Sequence, residues 1–451
     1  MMQNYGVLLN FTFSNFKSFS SRQNLDLSAV ESDHSLDQNT LSPTLPGTKN
    51  KRWLKATALY GANASGKSSM IDAFKALTNL VVHSAKVTNP DESIKFIEPF
   101  ALNDSTSDQP TAFAVSFVAD DIRYEFKLAL TQQRVIHESL RAYPKGQEQL
   151  WYERNWNPSD GTYSWTPKKS AYFKPIVQQL PKMTLPNMLF LSRAISLGDT
   201  QLQSVFRWFK DEVIFLDLSQ GNLDSGFSSQ KIEDDPDSAK KIISFLKHAD
   251  LGICGAKITK KKLPKNLIKN IKENAPDEQI QEIINSLSRE ITLKHKSANE
   301  AHYLPWDTES TGTQRLFSLI GPWIDILEQS HIVFIDELET SMHPLMVIEF
   351  LKLFFHWKDS RAQLIFSTHT PLLLDLNLMR RDQIWFTEKN AKGASQLYPL
   401  TDYHPRNDES LIRGYLSGRY GATPFIPEHL SETLQNSPHL EETQGKEMPN
   451  E

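Results

Sequence analysis

One cysteine, Cys254, stands in 451 residues, so no disulfide framework can form and nothing in the chain calls for an oxidising compartment. No apolar run approaches the roughly 20 residues of a membrane span, and the opening MMQNYGVLL lacks the basic region of a signal peptide. A cytoplasmic protein without membrane contact is therefore expected. Positive charge is also in short supply: 49 Lys and Arg against 54 Asp and Glu give a formal net charge of -5. There is no global pull toward nucleic acid, and such a contact would need a local patch. Heptads do not persist over several turns and no internal repeat occurs, which excludes a long coiled-coil arm. With a mean hydropathy of -0.44 the chain reads as globular, with room for two or three domains.

What is present centres on Ala56 to Met70, ATALYGANASGKSSM. Ala56, Ala58, Leu59 and Tyr60 read as a short buried strand, Gly61, Ala62, Asn63, Ala64, Ser65 and Gly66 as a loop, and Lys67, Ser68 and Ser69 as the start of a helix with apolar Met70, Ile71, Phe74 and Leu77. This is the GxxxxGKS spacing of a phosphate-binding loop. Two glycines let the backbone turn tightly and aim successive N–H groups at an anion in front of a helix N-terminus. Lys67 then suits the β- and γ-phosphates of ATP, and the Ser68 hydroxyl suits Mg²⁺.

Around this loop the chain divides by period. Leu8 to Phe13 alternates, a second strand is expected near Leu25 to Leu27, and the polar stretch Ser32 to Lys51 precedes the loop. Phe113, Val115 and Phe117, then Ile122, Tyr124, Phe126, Leu128 and Leu130, form a hairpin, and Trp151 to Trp165 forms another. An antiparallel β layer beside the loop follows. From Pro186 the period becomes helical, with Val205, Phe206, Trp208 and Phe209 on one helix and Ile242, Ile243, Phe245 and Leu246 on another. The run KITKKKLPKNLIKNIK, Lys257 to Lys272, reads as a solvated helix face, with a phosphate-backbone contact through Lys260, Lys261, Lys262 and Lys265 as the alternative. Arg289 and His295 lie in REITLKHK, which reads as a strand and not as a ribonuclease motif. Expected domains are an N-terminal lobe, 1–185, a helical insert, 186–301, a C-terminal lobe, 302–430, and a disordered polar tail, 431–451.

The second chemical signal is His331 to Pro344, HIVFIDELETSMHP, where an apolar strand delivers adjacent carboxylates. Asp336 suits the Mg²⁺ shell, and Glu337, on the other side of the strand, suits orienting or deprotonating an attacking water. A further strand, Gln363 to Phe366, ends in Ser367-Thr368-His369, placing an imidazole where a γ-phosphate could be sensed. Strands alternating with helices point to a largely parallel sheet with its active loops at the strand C-termini.

The order of phosphate loop, Ser-x-Gly loop, Asp-Glu and strand-end His resembles the ABC-type ATPases, in the branch that includes SMC and OLD proteins. The resemblance implies an α/β P-loop NTPase fold of ABC-ATPase type, a mixed sheet with an antiparallel β layer and a helical insert. It also implies that His369 contacts the γ-phosphate and that Ser310 and Gly312, in Ser310-Thr311-Gly312-Thr313, form a signature loop closing the site of a second copy. Thr311 and Thr313 depart from the usual Ser-Gly-Gly-Gln/Glu form, and no clear Q-loop glutamine follows the phosphate loop. FSNFKSF, GANASGKSS, NMLFLS, ESTGTQRLF, FIDELETSMHP, FSTHTPLLLD, RRDQIWFTEKN and YLSGRYGATPFI further resemble the bacterial AAA-type core ATPases of the RloA and AbiL kind, found in phage-resistance loci. That implies an ATP-dependent homodimer or higher oligomer acting as sensor and regulator in abortive infection, with a separately encoded effector such as a nuclease. A repair- or recombination-type ATPase acting directly on DNA is the alternative, and a nucleic-acid contact stays open in both.

Overall fold

The computed structural model describes residues 6–423 apart from 44–50, 104–105, 107, 167–170, 175–178, 219–224, 250–251, 276, 297–299, 341 and 407–408. The tail expected to be disordered, 431–451, lies outside the described residues.

The chain opens with antiparallel strands β1 (Val7–Ser14) and β2 (Gln23–Asp26), followed by the short pair β3 (Thr40–Leu41) and β4 (Trp53–Leu54). Strand β5 (Ala56–Tyr60) runs into the phosphate loop and helix α1 (Lys67–His83). Five antiparallel strands come next: β6 (Thr111–Ala119), β7 (Ile122–Leu130), β8 (Val135–Tyr143), β9 (Gln149–Asn157) and β10 (Thr162–Thr166). With β1 and β2 they make a seven-stranded sheet in the order β10-β9-β8-β7-β6-β1-β2. Helices α2 (Phe190–Ser196) and α3 (Gln203–Arg207), then a π-turn at Trp208–Glu212, lead to β11 (Val213–Asp217).

Beyond β11 lie α4 (Gly226–Asp234), α5 (Pro236–His248), β12 (Ile253–Lys260), α6 (Lys265–Asn274), α7 (Asp277–Ser288), β13 (Arg289–Lys296) and β14 (Ala301–Pro305). Helix α8 (Thr311–Gln329), β15 (Ile332–Asp336), α9 (Pro344–His356), β16 (Gln363–Ser367), β17 (Ile384–Lys389), β18 (Ser395–Pro399) and α10 (Leu411–Leu416) complete the chain. The second large sheet has the order β11-β15-β16-β5-β17-β18, parallel from β11 to β17, with β18 antiparallel at its edge.

Strand alternation explains the layers. In the parallel sheet Leu59, Ile332, Phe334 and Ile365 face one core, while Ala58, Tyr60, Val333, Ile335, Leu364 and Phe366 face the other. The first core holds α1 between the two large sheets: the Phe74 ring stacks on Phe334 at 4.4 Å and meets Phe11 edge-on at 4.8 Å. The second core is closed by α8 and α9, with Trp323 edge-on to Phe350 at 5.3 Å. Gln363 ties the sheets end to end, since its amide accepts from Leu8 N (2.6 Å) and donates to the carbonyls of Leu8 (3.0 Å) and Leu54 (2.9 Å). This is the mixed α/β architecture expected of a P-loop NTPase of ABC-ATPase type, with its antiparallel layer.

The 186–301 segment needs correction in content. It is helical in α4 to α7, but β11 belongs to the parallel sheet, and β12, β13 and β14 form a three-stranded sheet of their own. Leu189, Phe190, Leu191, Ala194, Val205, Trp208 and Phe209 join the first core beside Phe117 and Phe126, so the stretch up to β11 packs with the elements around α1. The single helix expected over Val205 to Phe209 is five helical residues followed by the π-turn, which lets Trp208 stack on Phe117 at 4.0 Å. The Lys257 to Lys272 run is also divided, between the end of β12 and α6, a helix with no buried residue.

Candidate nucleotide site

The phosphate loop connects the C-terminal end of β5 to α1, and its backbone depends on two glycines. Gly66 has φ +118°, a conformation that side-chain-bearing residues rarely adopt, and a Cβ there would lie 2.7 Å from Ser395 Oγ. A Cβ on Gly61 would lie 2.5 Å from the Thr387 carbonyl oxygen. Ser65 Oγ and Thr387 Oγ1, 2.6 Å apart, pin the loop to β17. No side chain caps α1, so its first-turn N–H groups are left for a ligand. Lys67 is buried and donates to the loop's own carbonyls at Gly61 (2.7 Å) and Ala62 (3.1 Å). Burial pulls its ammonium below the usual lysine range, while the carboxylates of Asp336, Glu337 and Glu339 push it back up.

A cavity of about 470 Å³ opens here, lined by Asn63, Ala64, Ser65, Gly66, Lys67, Ser68 and Ser69 of the loop together with Ser18, Glu337, His369 and Lys389. Glu337 also lines an adjoining cavity with Asp336, Asp217, Asp72 and Lys75. The parallel order β15-β16-β5 explains the convergence, because three neighbouring strand C-termini deliver the Asp-Glu pair, the histidine and the phosphate loop to one edge. Asp336 is half-buried and Glu337 exposed at φ +51°. Ser367 bridges the pair, its hydroxyl donating to Asp336 Oδ1 and accepting from Glu337 N at 2.7 Å. His369 is exposed, with Nε2 3.8 Å from Glu337 Oε1, and its backbone N–H donates to Glu339 Oε1.

The donor set fits a nucleoside triphosphate with its metal. Loop N–H groups and Lys67 suit phosphate oxygens, while the exposed Ser68 hydroxyl and Asp336 supply the one or two protein oxygens that Mg²⁺ takes beside phosphates. Ser310 and Gly312 are elsewhere and line neither cavity. Ser310 caps α8, its hydroxyl accepting from Thr313 N at 3.1 Å, and it is exposed.

Sequence reasoning assigned no role to Ser367, Glu339, Lys389 or Ser18. Ser367 was visible inside FSTHT, but a small hydroxyl before a histidine carries little signal of its own. The β11 strand also went unread, and its register pairs Asp217 with Asp336.

A family model described as "AAA domain, putative AbiEii toxin, Type IV TA system" matches residues 56–375, more than half of the chain. No curated protein matches it. Among solved structures, the SMC head domain from Thermotoga maritima is 12% identical with a TM-score of 0.36, covering 87% of this chain and 98% of that one. An SmcHead bound to the C-winged helix domain of ScpA is 12% identical with a TM-score of 0.41, covering 88% and 99%. An Smc head domain with an extended coiled coil, bound to the C-terminal domain of ScpA derived from Pyrococcus furiosus, is 12% identical with a TM-score of 0.35, covering 88% and 98%. No helix among the described residues is long and apolar enough to cross a membrane.

Proposed function

Since the chain belongs to this AAA-domain family, we propose that it is an Mg²⁺-dependent ATPase whose nucleotide state regulates a separately encoded effector, such as a nuclease, in bacterial antiphage defence. Support for the defence role comes from the family's link to abortive-infection toxins of the AbiEii type. The hydrolytic reading rests on the shared cavity of the phosphate loop, Glu337 and His369. In it, loop N–H groups and Lys67 hold the triphosphate, Glu337 orients or deprotonates the attacking water, and His369 contacts the γ-phosphate. Bound Mg²⁺, held by Ser68 and Asp336, would neutralise charge on the β- and γ-phosphates.

The observation that carries the dimer is the placement of Ser310. An exposed hydroxyl at the N-terminus of a long helix lies outside its own chain's cavity, so a second copy must present it if it is to meet nucleotide. Sedimentation with a non-hydrolysable ATP analogue and Mg²⁺ should convert monomer to dimer, and hydrolysis should rise with the square of protein concentration at low concentration. A rate strictly proportional to protein concentration, with no nucleotide-dependent dimer, would sink this reading. Co-expression with the adjacent gene's product then tests regulation: the effector should co-purify in one nucleotide state and be released in the other.

Ser367 offers a smaller, local test. Ser367→Ala leaves the Glu337 N–H and one Asp336 oxygen without their partner inside a half-buried edge. Outer-shell partners of metal-binding carboxylates typically matter by about 10–100-fold. The Mg²⁺ concentration for half-maximal hydrolysis should rise by about that factor while nucleotide affinity measured without metal stays level. An unchanged Mg²⁺ requirement would mean that Asp336 is positioned by its strand alone.

A further inference from the structure

The small sheet β12-β13-β14 has one face covered by helices and, among the described residues, one face without a packed element. Ile291 and Leu293 of β13 are buried, Ala256 and Ile258 of β12 pack beside them, and helices α4, α5 and α7 lie against these strands. Alternation puts Thr292, Lys294 and Lys296 on the opposite face. Register sets Gly255 and Tyr303 directly across from Lys294, and Lys257 and Pro305 across from Thr292. Tyr303 is 51% exposed, and Lys294 Nζ stands 5.7 Å from its ring centroid. Glu290 stands at the far end of this face, across from Thr259.

Position along the strand separates this face from most of the conspicuous run in the sequence: Lys257 lies within β12, Lys260 ends it, and Lys261, Lys262 and Lys265 lie beyond it. Lys260 is held by Glu233 at 2.8 Å, and Glu233 also takes Arg289 at 3.3 Å. Among the described residues no ion pair engages Lys257, Lys294 or Lys296. The face therefore carries three cations held in no ion pair around one exposed aromatic ring, with one acid, Glu290, at its end, and the stem of Lys294 lies over Gly255. A polyanion with planar groups complements it. We propose that this face binds single-stranded nucleic acid, the lysines pairing with phosphates and Tyr303 stacking on a base.

Unpaired bases are required because the ring offers a stacking platform that a duplex, with its bases already stacked, cannot use. The face is also firmly joined to the Ser310 loop. His295 Nε2 lies 2.7 Å from Glu309 Oε1, whose side chain is 4% exposed, and β14 runs through the short turn Trp306–Thr308 directly into Ser310. This inference goes beyond the ATPase reading and does not depend on it, since binding can be measured without nucleotide.

Anisotropy of a fluorescent 20-residue oligo(dT) or oligo(U) with the full-length protein gives the test, beside a duplex of equal length and an oligoglutamate competitor. The single strand should bind tightest, and oligoglutamate should compete poorly. Lys257→Ala/Lys294→Ala/Lys296→Ala should flatten the log–log salt slope by about 0.7 for each lysine–phosphate pair removed. Tyr303→Ala should weaken binding by about 5–150-fold, the range for losing one stacked base, while Tyr303→Phe keeps it. Alanine at Lys260, Lys261, Lys262 and Lys265 should change neither affinity nor slope. Melting temperatures near wild type for all variants show that the fold is intact. The proposal is overturned if the face variants bind like wild type, if duplex or oligoglutamate binds as well as the single strand, or if only the Lys260–Lys265 variant loses binding.

Discussion

Glu337→Gln should leave ATP binding intact and lower turnover by about 10²–10⁴-fold, the range that a positioned general base supplies. The geometry makes this substitution a clean one. Glutamine keeps the length of the side chain and can keep the contact with Thr340 Oγ1, 3.3 Å from Glu337 Oε2. The backbone is fixed independently of the carboxylate: Glu337 N donates to Ser367 Oγ, Thr340 N donates to the Glu337 carbonyl at 2.9 Å, and Leu338 N donates to the Ser367 carbonyl at 3.1 Å. Only the proton-accepting oxygen is lost. Lys67 and the loop N–H groups, which would hold the triphosphate, are untouched. With hydrolysis blocked and binding retained, the ATP-bound dimer should accumulate, giving a stable larger species in sedimentation where wild type cycles back to monomer. Phosphate release and equilibrium binding measured on the same preparation separate the two effects. Normal hydrolysis by the variant would remove Glu337 from the role of base and turn attention to His369, 3.8 Å away.

The residues that line the candidate nucleotide cavity were legible because they are local in sequence. GANASGKSS and FIDELET each hold their candidate donors within a few consecutive residues, and strand–loop–helix context is itself a short-range pattern. What stayed hidden depends on contacts distant in the chain. Strand β8 went unread because Glu138 occupies an inward position, across from Leu128 and Arg154, and so breaks the apolar alternation that marks β6 and β7. Strand β11 is a short apolar run that directly follows helical spacing, and only its parallel pairing with β15 makes it a strand. The same holds for the lysines. The dense run from Lys257 to Lys272 draws the eye, but the division between β12 and α6 redistributes it and Glu233 holds Lys260, while Lys294 and Lys296 gain company only through register with Tyr303 and Ala301.

That inward glutamate leads to the second large effect. Glu138→Ala should destabilise the protein by about 3–5 kcal/mol, the cost of breaking a buried ion pair by removing one partner. Glu138 and Arg154 are both 0% exposed, and Arg154 Nε lies 3.2 Å from Glu138 Oε2. The carboxylate serves more than the guanidinium. It accepts from Phe190 N at 2.8 Å and Leu191 N at 3.0 Å, so it caps α2, and from Tyr152 Oη at 3.0 Å. Burial first, and then the Glu138 charge, hold the Tyr152 hydroxyl well above the ordinary tyrosine range, keeping it a donor. Alanine strands all of these donors in a buried core. Glu138→Leu/Arg154→Leu removes the unpaired charge as well, and should recover part of the loss. The α2 N–H groups still lack an acceptor, so recovery stops short of wild type. Urea midpoints with unchanged slopes give the comparison, and strictly additive losses would show that the pair is not coupled. Hydrolysis per folded molecule should hold steady: α2 meets α1 at its C-terminal end, through Ser192 Oγ to Val81 O at 2.6 Å, and α1's 17 residues put about 25 Å between that end and the phosphate loop.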